Sequence, residues 1–147
     1  MKKAAVGVVL VCHGGLGEAL VAAAERIVGR VEGVRTVSID SAPEEVSPAR
    51  EAIQRAIQDV RSPAGVLVLT DMFGGTPSNL SLAFLDEGRV EVVTGVNLPM
   101  LIKALAHRDA SLPELVRVVR DAGQGSIIVA SRMLQEGHQE RDRRKPR

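Results

Sequence analysis

The sequence predicts an α/β protein with an open, doubly wound, mostly parallel sheet flanked by helices. Short continuous apolar runs alternate with segments of helical period, the pattern of strands buried on both faces by helices. Helix-start signals fall between the runs, and glycine-rich polar loops follow two of them. At 147 residues, 45% hydrophobic and 25% charged, the chain suits one domain with a substantial core.

The first strand candidate is residues 5–12 (AVGVVLVC), followed by a helical stretch at 17–28. Residues 34–39 form the second strand and 48–60 the next helix, opened by Ser47-Pro48, an N-cap residue with proline at the first helical position. The third strand, 65–70 (GVLVLT), leads to a helix at 77–85 that Thr76-Pro77 opens in the same way. The fourth, 90–94, precedes helices at 98–106 and 112–121, with Ser111 and Glu114 at capping-box spacing before the second. The β-branched run 126–131 (SIIVAS) reads as a short fifth strand. Residues 135–147 (QEGHQERDRRKPR) lack apolar periodicity and read as a charged, disordered tail beyond a single domain at 1–134.

Composition excludes several functions. With no Trp, no Tyr and 2 Phe, the chain lacks the rings on which nucleic-acid platforms, aromatic cages and most sugar clefts depend. A net charge of +1 creates no field toward nucleic acid or anionic membranes, so a nucleic-acid partner is not expected. Cys12 has no second cysteine to pair with, and His13, His107 and His138 are too far apart in sequence for a structural zinc motif. No metal or cofactor is expected. Met1-Lys2-Lys3 before an apolar run resembles the start of a signal peptide, but His13 and Glu18 interrupt the run and no spanning segment follows. A cytoplasmic protein without membrane insertion is therefore expected.

In an open parallel sheet, ligands bind beyond the carboxyl ends of the strands where strand order reverses. Two loops qualify: Cys12-His13-Gly14-Gly15-Leu16-Gly17 after the first strand, and Asp71-Met72-Phe73-Gly74-Gly75-Thr76-Pro77-Ser78-Asn79 after the third. Each has an ionisable residue near the strand end, then a glycine pair, then a helix start. A neutral histidine is a nucleophile through the ring nitrogen that its hydrogen-bond partner leaves free, and Asp71 is the candidate partner for His13. The same residues also fit a loop histidine and a turn aspartate bonding its own backbone. Gly14, Gly74 and Gly75 would let backbone amides converge, and Thr76 adds a hydroxyl; together they suit a phosphoryl group beside His13. Tight strand-to-helix turns would use the glycines equally.

Other motifs fit less well. The P-loop and dinucleotide fingerprints are missing, and His13-Gly14-Gly15 lacks the G-x-S-x-G partner of α/β-hydrolases. Cys12 and His13 are adjacent on a strand and so point to opposite faces, which leaves Cys12 as a small core residue.

Three blocks carry a family resemblance: Val9 to Gly14 (V-x-x-x-H-G), Asp71 with Gly74-Gly75-Thr76-Pro77-x-Asn79, and Gly95-Val96-Asn97-Leu98-Pro99-Met100-Leu101. In order and spacing they resemble the mannose-type (mannose/fructose/sorbose) IIA component of the bacterial phosphoenolpyruvate-dependent sugar phosphotransferase system (PTS), over about residues 5–131. The resemblance implies that His13 accepts a phosphoryl group from the phosphocarrier HPr and passes it to a IIB component. Asp71 would orient the ring, while Thr76 and nearby amides hold the phosphoryl oxygens. It also implies a homodimer that exchanges the last short strand, and association with membrane IIC and IID components through partners. Met72 and Phe73 would contact a partner protein or pack in the core. A regulatory module read out through His13 phosphorylation, and the phosphotransferase subunit of dihydroxyacetone kinase, are the alternatives; the second and third blocks fit the mannose type better.

Overall fold

A computed structural model describes residues 3–40 and 46–146. Met1 and Lys2, the basic start of the first apolar run, and Arg147 of the charged tail lie outside the described residues. Four strands, β1 (Gly7–His13), β2 (Val34–Ile39), β3 (Val66–Thr70) and β4 (Val90–Thr94), form one parallel sheet in the order β2-β1-β3-β4. Among the described residues six helices accompany them: α1 (Leu16–Val28), α2 (Val46–Val60), α3 (Thr76–Leu82), α4 (Leu98–Ala106), α5 (Leu112–Gly125) and α6 (Ala130–Arg143). Among the described residues, no helix is long and apolar enough to cross a membrane.

The period-2 geometry of the strands divides the core into two layers. Val8, Leu10 and Cys12 of β1, with Leu67 and Leu69 of β3, pack against α4 and α5 through Met100, Leu101, Leu115 and Val119. Val9 and Val11, with Val66 and Val68, face the other way onto Ile53, Ala56, Ile57 and Val60 of α2 and Leu80 of α3. The four α2 residues recur at i, i+3, i+4 and i+7, the stripe that one helical face buries. β1 and β3 are the two inner strands, buried on both faces, which is why they read as unbroken apolar runs. The chain runs outward from β1 to β2, then crosses back to β3 on the other side. The order therefore reverses between β1 and β3, at the upper ends that carry the two predicted loops.

Of the three helix-start signals, only Ser111 acts as the expected cap. Ser111 caps α5, accepting from the Glu114 N–H at 3.4 Å, but the Glu114 carboxylate turns to Arg117 at 2.8 Å, so the capping box is only half made. Helix α2 already includes Val46, at the edge of the described residues, so Ser47 is a helical residue rather than its N-cap. Helix α3 is capped by Gly75, with Thr76 as its first residue and no side-chain cap. Asn97 caps α4, accepting from the Met100 N–H at 3.0 Å.

Two expectations fail at the C-terminus. Residues 126–131 are not a strand within the chain: Ser126 closes α5, the next three residues are unpaired, and Ala130 opens α6. A β-branched run becomes a strand only against a free edge, and after α5 the chain does not return to one. Residues 135–143 are not an irregular tail, because α6 runs through them to Arg143. Arg, Glu and Gln are good helix formers, and Lys145 pairs with Asp142 at 3.4 Å just beyond the helix end. Helix α6 buries none of its residues, so core periodicity could not reveal it.

Gly7 shows how closely the layers meet. A Cβ there would enter van der Waals distance of the Val60 carbonyl oxygen and lie 2.7 Å from Val60 Cγ2. Gly7→Ala should lower stability by about 1–3 kcal/mol through overpacking against backbone. Urea midpoints would show it, and an unchanged midpoint would contradict this packing.

Candidate active site

The pairing of β1 with β3 places the two ionisable strand-end residues side by side. Val11 stands opposite Thr70, so His13 ends β1 two residues further on and Asp71 follows β3 by one. His13 shares the face of Val9 and Val11, while Cys12 points into the opposite core layer. Asp71 Oδ2 accepts from the backbone N–H of His13 at 2.9 Å and from ring Nδ1–H at 2.8 Å. Its Oδ1 accepts from the Met72 N–H at 3.0 Å. An ionised carboxylate only accepts, so this bond assigns the ring proton to Nδ1 and leaves Nε2, across the ring from the carboxylate, with a lone pair. The Asp71 side chain is 11% exposed and that of His13 38%, so the orienting group is sheltered and the nucleophile is open.

Charge balance follows the same geometry. Burial pushes the Asp71 carboxyl upward, but the His13 backbone N–H, the His13 ring and the Met72 N–H together hold it below its ordinary value. Burial, then the carboxylates of Asp71 and Glu18, push the Cys12 thiol up to about 12. Cys12 is thus a buried thiol with no role as a nucleophile.

The glycine loops are held in a way the sequence does not disclose. The Gly14 N–H donates to the Ile39 carbonyl at 3.3 Å, and the Gly74 N–H donates to Ser78 Oγ at 3.0 Å. Two of the expected amide donors are therefore engaged inside the protein. Gly14 and Gly74 have φ of 51° and 83°, the left-handed backbone that glycine adopts without strain. Gly75 lies against the imidazole: a Cβ there would sit 3.1 Å from His13 Cε1 and 3.6 Å from Nε2. Thr76 begins α3 with its side chain half-buried. The Gly95-Val96-Asn97 block also finds its place, since the N–H groups of Gly95 and Val96 both donate to the Thr70 carbonyl, at 3.0 and 2.9 Å. They fix the residue from which Asp71 projects. Ser78, fully buried, is the residue that sequence reasoning passed over; its only signal was its place three residues after a glycine pair. Phe73 is 74% and Met72 54% exposed, so neither packs in the core.

Fold and site together define a doubly wound α/β domain with a carboxylate-oriented imidazole at its switch point. A family model described as "PTS system fructose IIA component" matches residues 7–120. The fructose-specific EIIA component of Bacillus subtilis (strain 168) is 30% identical over 133 residues, 89% of this chain and 90% of that protein. The mannose-specific EIIAB component of Escherichia coli (strain K12) is 33% identical over 126 residues, 83% of this chain but 38% of that longer protein. Among solved structures, the PTS IIA protein associated with the fucose utilization operon of Streptococcus pneumoniae superposes with a TM-score of 0.77 at 28% identity, covering 91% of this chain and 99% of that one. The chain belongs to the mannose/fructose-type EIIA family of the sugar phosphotransferase system. Its general kind is that of a phosphotransferase component.

The lowered carboxyl of Asp71 has a consequence for stability. Its pairing stabilises the fold above the ordinary value of 3.8, and that contribution is lost as pH falls through the lower folded value. Wild-type protein should lose more stability between pH 5 and pH 3 than Asp71→Asn, as read from urea midpoints. Equal losses would show that the pairing carries no such linkage.

Proposed function

We propose that this chain is a phosphocarrier in which His13 accepts a phosphoryl group from phospho-HPr and passes it to a IIB component. The observation that carries this is the Nδ1–Asp71 hydrogen bond, which leaves Nε2 as the free nucleophile at an open sheet edge. In the uptake step the Nε2–P bond forms as the N–P bond to the donor imidazole breaks, and the donor takes back its ring lone pair. The Nδ1 proton stays in place, and the Asp71 carboxylate balances the positive charge that develops on the ring. Phosphoryl transfer of this kind depends on alignment and on donors to the equatorial oxygens. With Gly14 and Gly74 engaged, the amides of Gly15, Gly75 and Thr76 and the Thr76 hydroxyl are the donors we assign. The loops bring no arginine or lysine, which suits a phosphoryl group that must be passed on rather than kept.

Exposed Met72 and Phe73, in the loop that follows Asp71, provide an apolar contact suited to docking of HPr and IIB. Action in the cytoplasm, with IIC and IID reached through IIB, follows from this role. For the dimer, β4 is an edge strand, half-buried along its length. Ile127, Ile128 and Val129 are exposed by 78%, 58% and 54%. A β-branched strip without an edge and an edge without a partner favour exchange between two copies, strand to strand.

Incubation with phosphoenolpyruvate, enzyme I and HPr should add one acid-labile phosphoryl group to the wild type by intact mass and none to His13→Ala. Equal labelling of both would remove His13 from the reaction. Asp71→Asn should slow uptake by roughly a hundredfold, the low end of what one preorganised electrostatic partner contributes. An unchanged rate would exclude Asp71. Labelled protein that discharges onto no IIB would favour the regulatory reading instead.

Truncation before Ser126 should convert a dimer to monomer in sedimentation. A dimer that survives the truncation would rule out exchange of this strip.

A further inference from the structure

Helix α3 carries two fully buried serines, Ser78 and Ser81, that use their hydroxyls differently. Ser81 Oγ donates to the Pro77 carbonyl at 2.6 Å, a bond inside its own helix. Ser78 Oγ reaches back out of the helix. It accepts from the Gly74 N–H at 3.0 Å and donates to the Gly75 carbonyl at 3.3 Å, so one hydroxyl bridges both ends of the Gly74-Gly75 unit. Two consecutive glycines have the least intrinsic conformational preference of any dipeptide, and external bonds must hold them. The Asn79 N–H adds a second bond to the Gly75 carbonyl at 3.0 Å, but among the described residues only Ser78 holds the Gly74 side.

What this clamp positions is the wall of the imidazole. The Gly75 Cα faces His13 Cε1 closely enough that a Cβ would be 3.1 Å from it. Asp71 fixes one edge of the ring through Nδ1, a single hydrogen bond about which the ring can still swing. Gly75 stands on the Cε1 side of that swing, where there is no room for a side chain. We infer that Ser78 is a positioning residue for phosphoryl transfer, aiming the His13 Nε2 lone pair through the Gly74-Gly75 unit that it clamps. The inference rests on the phosphocarrier reading of His13. In-line transfer is sensitive to misalignment of the attacking nitrogen, whereas a purely structural serine would alter stability and leave ring geometry untouched.

In the wild-type protein, the Gly74 amide should exchange slowly with solvent, and a nuclear Overhauser contact should join Gly75 Hα to His13 Hε1. A fast-exchanging Gly74 amide or no such contact would overturn the clamp without any variant. In Ser78→Ala, the His13 ring nitrogen shifts should move toward a mixture of tautomers. Uptake from phospho-HPr should slow by about tenfold at saturating donor, with the half-saturating donor concentration unchanged. Ser81→Ala, with an equally buried hydroxyl removed from the same helix, should keep the wild-type ring shifts and rate. Wild-type ring shifts and rate in Ser78→Ala, or equal loss in both variants, would refute the inference. No labelling of the wild type would sink the phosphocarrier reading instead, and a ring shift in Ser78→Ala would then still show that Ser78 orients His13.

Discussion

Asp71 Oδ2 accepts two hydrogen bonds from one residue, the backbone N–H and the ring Nδ1–H of His13, and much of the surrounding structure keeps that oxygen within reach of both. The bond to the backbone ties the end of β1 to the end of β3. The bond to the ring selects a tautomer. Because the same atom does both, the ring cannot be oriented unless the two inner strands are in register. Behind the carboxylate, the N–H groups of Gly95 and Val96 hold the carbonyl of the preceding residue, so β4 and its following loop also set where Asp71 stands.

The site is constructed mainly from backbone. His13 leaves a stiff strand, Asp71 follows another, and beside the imidazole stands Gly75, whose missing side chain makes room for the ring. This economy explains why a chain with 2 Phe and no other aromatic residue can hold a well-defined site. No aromatic wall is needed when a carboxylate, a glycine and a clamped loop define the position of one ring. The two Phe are spent elsewhere: Phe73 stands exposed beside the site, while Phe84 packs against the α2 face of the sheet.

Much of this architecture was legible in the residues, for identifiable reasons. β1 and β3 are buried on both faces and therefore uninterrupted in sequence, and α2 shows its apolar stripe at helical spacing. Ser111 acts as the expected cap because a short side chain with an acceptor satisfies a first free N–H group, and Asn97, not read as a cap, does the same for α4. The C-terminus was misread because its helix buries nothing, so neither period marked it, and because a strand's existence depends on an edge that lies elsewhere. The glycine loops were correctly located, but the amides expected to be free at Gly14 and Gly74 are bound to Ile39 and Ser78. Ile39 is a distant partner that leaves no local pattern, and Ser78, four residues from Gly74, gives no sign in its residue type of which way its hydroxyl turns.

The sequence by itself determined the alternation of strands and helices, the two loops at strand ends, and the residue types available there: one imidazole, one carboxylate, glycines and a threonine. These follow from periodicity and local chemistry, which act over a few residues. Only the tertiary structure decided that His13 and Asp71 meet, which ring nitrogen is left free, and that the Gly14 and Gly74 amides are engaged within the protein. These depend on the pairing of β1 with β3, residues 58 apart in sequence at the point of contact, and on a serine side chain turned back toward the loop. Strand pairing of that range is a property of the whole packed sheet, and no window of sequence contains it.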